Sequence, residues 1–109
     1  MSPSGFTGSE MIFESSGRRV ARIALSGELD LSVKDRVVEM LRPSKDADDV
    51  IVDLSEVPYI DSTALGCLVH VKNDLIARGG GTVQLLGLRP NVRRVFALTK
   101  LDELFEIIE

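Results

Sequence analysis

Residues 50–66 read VIVDLSEVPYIDSTALG. Val50 to Leu54 form a short run of mostly branched apolar side chains, which suits a central parallel strand covered on both faces. Pro58 marks the loop that follows. The spacing then predicts a helix from about Thr63 to Arg78, with Leu65, Leu68, Val69, Lys72, Leu75 and Ile76 on its inner face and the Lys72 stem lying along it. Gly79-Gly80-Gly81 supplies its stop. A strand feeding a helix is the repeating unit of a parallel α/β sheet.

The flanking segments extend that unit. On the N-terminal side, MIFESSGRRVARIALSG (residues 11–27) reads as a hairpin, with Ser15-Ser16-Gly17 as the turn. Ala21, Ile23 and Leu25 alternate with Arg22 and Ala24, as in a half-buried strand. Residues 32–42 read as a helix opened by a Ser32/Asp35 capping pair, with Val33, Val37, Met40 and Leu41 on its buried stripe. Pro43 is expected to stop it, and SKDADD (44–49) to be a solvated loop. On the C-terminal side, TVQLLG (82–87) reads as a strand. Pro90 opens a helix with Val92, Val95, Phe96 and Thr99 on one side. LFEIIE (104–109) reads as a last strand or an amphipathic helical turn. The order is β-β-α-β-α-β-α-β. It implies an α/β single domain with a mostly parallel sheet, one antiparallel strand from an N-terminal hairpin, and helices packed on the sheet.

Composition sets the outer limits. A chain of 109 residues is one domain and can bury roughly 65% of its unfolded surface without disulfides or metal. Residues 1–10, MSPSGFTGSE, read as a flexible tail and residues 11–109 as the domain. The tail lacks the basic and apolar regions of a signal peptide. No run approaches the ~18 apolar residues of a membrane span. The net charge of −4 argues against a sequence-independent grip on nucleic acid. A single cysteine, Cys67, allows no internal disulfide and fits a reducing, cytoplasmic setting.

The chemistry-bearing residues fall in two loops. One is GELDLS (27–32), between the second strand and the first helix. The other is SEVPYIDST (55–63), before the long helix. If their strands are neighbours, Asp30 and Asp61-Ser62 share one end of the domain, where ligands of parallel sheets gather. Asp, Ser and Thr at a helix start are commonly caps, and either Asp61 or Ser62 could serve. A serine there can also carry a phosphate, which adds about −1.5 to −2 charges to an acidic surface. Gly66 costs roughly 1 kcal/mol inside a helix. Either the helix packs closely on the sheet at that point, or a partner approaches the bare backbone.

SGELDLS, IVDLSEVPYIDSTALG and GGGTVQLLGLRPNVRRVFALTKLDELFEI, in this order, resemble a STAS domain, in particular a bacterial anti-sigma factor antagonist. The likeness runs from about Ile12 to the end. It implies a protein that, when unphosphorylated, binds an anti-sigma factor which is also a GHKL-type serine kinase, and so frees the sigma factor. The kinase would phosphorylate Ser62, the serine directly after the motif aspartate, and a PP2C-type phosphatase would reverse this. The resemblance places partner contacts on Glu28, Leu29 and Asp30 and on Asp61, Ser62, Thr63, Ala64, Leu65 and Gly66. It implies no catalytic residue, metal or cofactor in the chain itself. Family members commonly carry Gly at the position of Ala64, and many have a further C-terminal helix after the last strand.

Other readings lack supporting parts. Asp53 ends the central strand as a receiver-domain phosphoacceptor would, but Leu25-Ser26-Gly27 offers no acidic pair to hold magnesium and Leu86-Gly87-Leu88 offers no lysine; Asp53 is better placed to satisfy loop N–H groups. His70 and Cys67 do not make a metal site by themselves. GGGT lacks the lysine of a phosphate-binding loop. Arg89, Arg93 and Arg94 read as a solvated face. Two alternatives to the antagonist stand: a STAS scaffold or transport-system component without a phosphoswitch, and a small-molecule or nucleotide-binding domain of similar fold.

Overall fold

The computed structural model of the chain describes residues 6–108. Within them the elements run β1 (Thr7–Ser15), β2 (Arg18–Ser26), α1 (Lys34–Met40), β3 (Asp49–Glu56), α2 (Ser62–Ala77), β4 (Val83–Leu86), α3 (Pro90–Leu98) and β5 (Glu106–Ile108). Short 3-10 turns occupy Leu31–Val33, Arg42–Asp46 and Leu101–Glu103. The described strands form one sheet in the order β1-β2-β3-β4-β5. β1 is antiparallel to β2, and every later pairing is parallel.

This order explains where the helices go. Each parallel crossover steps one strand in the same direction. Crossovers of one hand then lay every helix on the same face. The register agrees. Ala21, Val50 and Val83 share a row, as do Ile23, Val52 and Leu85, and all six are buried. They meet Val37 of α1, Leu68 and Leu75 of α2, and Val92 and Phe96 of α3 in one core. Phe105 closes the far edge with an edge-on contact to Phe96, ring centroids 5.8 Å apart. The intervening residues, such as Arg22, Ile51, Asp53 and Gln84, are only half-buried. The expectation that β3 is covered on both faces is therefore corrected: the VIVDL run is buried on one side and open on the other.

Several local expectations also change. Residues 7–10 belong to β1, which pairs with β2 along its whole length, so the expected ten-residue tail is too long; residues 1–5 lie outside the described residues. Phe6 is buried beneath Arg36, whose guanidinium sits 4.9 Å from the ring centroid and donates to the Phe6 carbonyl at 2.7 Å. Pro43 does not end in a solvated loop. It opens the Arg42–Asp46 turn, where Ser44 is buried and donates to the Leu41 carbonyl. Arg78 fastens that turn to α2 by donating to the carbonyls of Ser44 and Ala47. On α2 the inner face includes Ala64 and Val71, whereas Ile76 is exposed. The helix ends as the glycines require. Gly80 N–H donates to Leu75 and Gly79 N–H to Ile76, with both glycines at positive φ.

Asp49 joins three strands at their starting end. It accepts from Arg18 at 2.6 and 3.1 Å and from the Thr82 N–H at 2.9 Å. The Arg18 hydrogen bond holds its carboxyl below the usual range; burial pushes the other way, and Thr82 and the Arg18 charge reinforce the lowering. A depressed folded value stabilises the fold above the unfolded value near 3.8, and that contribution is lost as pH falls through the folded value. Asp49→Asn is expected to lower stability at neutral pH and to flatten the loss of stability below about pH 4. Urea unfolding between pH 2 and 7 checks this.

Candidate functional site

The β2–β3 pairing continues beyond the strand ends and builds the site. After a register shift between Ala24 and Ser26, Gly27 N–H donates to the Glu56 carbonyl at 3.0 Å. Leu29 then bridges Ile60, donating to the Tyr59 carbonyl at 2.9 Å and accepting from Asp61 N–H at 3.0 Å. The two loops are thus zipped together, and GELDLS and PYIDST lie side by side.

Asp61 completes the junction with its side chain. One carboxylate oxygen accepts from Ala64 N–H at 3.1 Å and caps α2. The other accepts from Leu31 N–H at 3.1 Å, across the loop pair. Asp30 does the matching work for the first helical turn. It accepts from Ser32 N–H at 3.0 Å and from the Ser32 hydroxyl at 2.5 Å. The expected cap at Ser32 is therefore corrected: Ser32 is the donor and Asp30 the cap. Between Asp61 and Ser62 the open question is also resolved. Asp61 caps, so the Ser62 hydroxyl, exposed at the first helical position, is not consumed by the helix.

The residues singled out in sequence divide by burial. Glu28, Ser62 and Gly66 are exposed, and Asp30, Asp61 and Thr63 are half-buried around them. Leu29, Ala64 and Leu65 are buried in the core. Their side chains are turned inward and are not offered at the surface of the free chain. Two exposed apolar side chains stand in the same loops instead, Leu31 at 68% and Tyr59 at 48%. Leu31 had a readable signal: it is apolar but out of step with the Val33/Val37 stripe. Asp53 behaves as a loop-satisfying residue, accepting from Ser55 N–H at 2.9 Å and facing Arg22 at 3.4 Å. Arg89 and Asn91 tie the start of α3 to the same loop through the carbonyls of Ser55 and Pro58.

A groove of about 570 Å³ leads away from Ser62 between α2 and the α1 side of the domain. Ser62, Gly66 and His70 line one wall, and Lys34, Arg42 and Lys45 the other. A Cβ at Gly66 would meet nothing within 4 Å. Close packing on the sheet, one of the two explanations open from sequence, is thereby removed. Cys67 is half-buried in the groove; burial pushes its thiol up, against a smaller downward pull from Lys34. Such a thiol is a poor nucleophile. Among the described residues no group of His, Cys, Asp or Glu is placed to hold a metal ion, and no helix is long and apolar enough to cross a membrane.

Taken together these features define a small α/β domain whose sheet is covered on one face and whose two polar loops, GELDLS and PYIDST, lie side by side at one end. The STAS domain profile matches residues 14–109, and the chain belongs to that family. The anti-sigma-B factor antagonist of Listeria monocytogenes is 34% identical over 87 residues, covering 78% of this chain and 75% of that protein. An anti-sigma factor antagonist from Mycobacterium paratuberculosis superposes with a TM-score of 0.69 at 24% identity, over 97% of this chain and 87% of its own. The phosphorylated form of the Bacillus cell fate determinant SpoIIAA does so with 0.65 at 21% identity, over 93% and 92%.

Removing the Asp61 carboxylate strips two N–H groups of their acceptor. Asp61→Ala is expected to cost about 1–3 kcal/mol. Amide exchange should speed up at both Leu31 and Ala64, in different elements. Exchange that changes at Ala64 alone would show that the inter-loop bond contributes nothing.

Proposed function

We infer that the chain is an anti-sigma factor antagonist that, unmodified, docks its Ser62 end on an anti-sigma factor and so frees a sigma factor. The observation that carries this is the Ser62 hydroxyl. It is exposed at the mouth of α2, spared from capping by Asp61, and flanked by Glu28 and Asp30 in the adjoining loop. The names of the relatives support the same reading, and SpoIIAA, which shares the fold, exists in a phosphorylated form.

The finer steps follow from the charge. The anti-sigma factor acts as a GHKL-type serine kinase. The Ser62 oxygen attacks the γ-phosphorus of ATP, the bond to the β-phosphate oxygen breaks, ADP leaves, and the serine proton goes to a base on the kinase. A PP2C-type phosphatase returns the hydroxyl by hydrolysis. A phosphate brings about −1.5 to −2 charges to a surface that already holds Glu28, Asp30 and Asp61. A partner shaped to a neutral hydroxyl then meets an unpaired, desolvated dianion and is released. Leu31 and Tyr59 supply the apolar part of the docking face, and Gly66 keeps the first turns of α2 free of side-chain bulk beside it. The chain's own residues do no bond-making beyond offering the hydroxyl.

Incubation with an anti-sigma factor kinase and ATP, followed by phosphopeptide mapping, should place the phosphate on Ser62 and not on Thr63. Ser62→Asp should weaken kinase binding at least tenfold, or ~1.4 kcal/mol, whereas Ser62→Ala should bind and stay active in a transcription assay. Equal calorimetric affinity for Ser62→Asp and the unsubstituted chain would remove the switch.

Gly66 gives a separate check. Gly66→Ala should raise stability by about 0.5–1 kcal/mol, because helix propensity improves in open space. The same change should weaken docking. A gain in both stability and affinity would take Gly66 out of the docking face.

A further inference from the structure

The groove beside Ser62 is basic on a chain that is acidic as a whole. Lys34 and Lys45 line it and form no ion pair among the described residues. Arg42 also lines it but is engaged with Glu39 at 2.9 Å. On the α2 wall His70 is exposed, and Asp74 is paired with Arg78 at 3.1 Å. The unpaired charges of the groove walls are therefore cationic. Cations usually find partners or solvent, but two facing a shared groove beside a hydroxyl make a receiving site for an anion.

Lys34 is the nearer of the two to Ser62 by construction. Leu31 N–H is bonded to the Asp61 carboxylate, and Lys34 lies one helical turn further along the same segment. Both Lys34 and Asp61 act on the thiol of Cys67, which sits one turn past Thr63. The carboxylates near the mouth, Asp30 and Asp61, are each occupied by hydrogen bonds from the backbone. They repel a phosphate on Ser62 and drive it away from the loop side.

We propose that a phosphate monoester on Ser62 is received within the chain by the ammonium of Lys34 at the mouth of the α1–α2 groove. This rests on Ser62 as the phosphoacceptor. It adds a second consequence to modification: the phosphate both introduces negative charge and neutralises one of the groove's two unpaired lysines. Lys34 is a positioning residue here. It fixes where the dianion points and takes no part in transfer.

The test uses the full chain with phosphoserine installed at position 62 by codon suppression, so no kinase is needed. Phosphorus NMR follows the second ionisation of the phosphate, ordinarily near 6. Pairing favours the dianion, so Lys34→Gln should raise the ionisation by at least about 0.5 unit. Lys34→Arg should leave it low, and Lys45→Gln, deeper in the groove, should move it less. In the unsubstituted lysine background, the Lys34 side-chain ammonium resonance should shift with the phosphate titration, a readout that no folding defect can mimic. An ionisation unmoved by Lys34→Gln, or moved equally by Lys45→Gln, overturns the pairing. The phosphate is installed synthetically, so a kinase that ignores Ser62 would remove the switch and leave this result standing. A Ser62 kinase substrate with no Lys34 effect would do the reverse.

Discussion

The arrangement at the working end depends on one carboxylate. Asp61 accepts a hydrogen bond from its own helix and another from the neighbouring loop. The first sets where α2 begins. The second sets where GELDLS lies relative to that beginning. Had a hydroxyl done the capping, it would have turned inward to the helix N–H groups, and the exposed nucleophile would be lost. The division of labour between adjacent residues, carboxylate inward and hydroxyl outward, makes Ser62 both fixed in place and chemically available. The backbone zipper from Gly27 to Asp61 carries the same constraint down to the sheet.

Much of the fold was legible in the residues because hydrophobic period is a strong signal. The eight elements occur in the order expected, and the alternation of Ala21, Ile23 and Leu25 appears as written. What failed was tertiary. VIVDL looks doubly buried, yet strand order places all helices on one side, and nothing in five residues encodes strand order. Pro43 reads as a stop, but it also suits the first turn of a 3-10 segment, and Arg78, far along the chain, supplies the donors that hold that segment.

At the site, residue types were legible and exposure was not. Asp30, Asp61 and Ser62 come together as the two-loop reading required. Leu29, Ala64 and Leu65 share their motifs but point into the core, because a bridge at Leu29 and a helix at Ala64 continue the apolar pattern of their elements. Ser32 lost the cap to Asp30 because the turn begins earlier than the hydrophobic stripe suggests. The groove was invisible in sequence: it is lined by α1, the Arg42–Asp46 turn and α2 together, with Gly66 on its wall, and its cations come from segments read separately.

The helix that presents the serine is clamped at both ends. Asp61 holds its start, and the glycine pair with Arg78 holds its finish against the Ser44–Ala47 backbone. A rod so anchored is held in place on the sheet, and the proposed phosphate would sit at its fixed tip. On the proposed reading, a charge added at this end acts on a partner as an electric field whose range is set by the ions in the surrounding medium, about 8 Å at physiological ionic strength. Anything that reads the tip has to come into near contact with it.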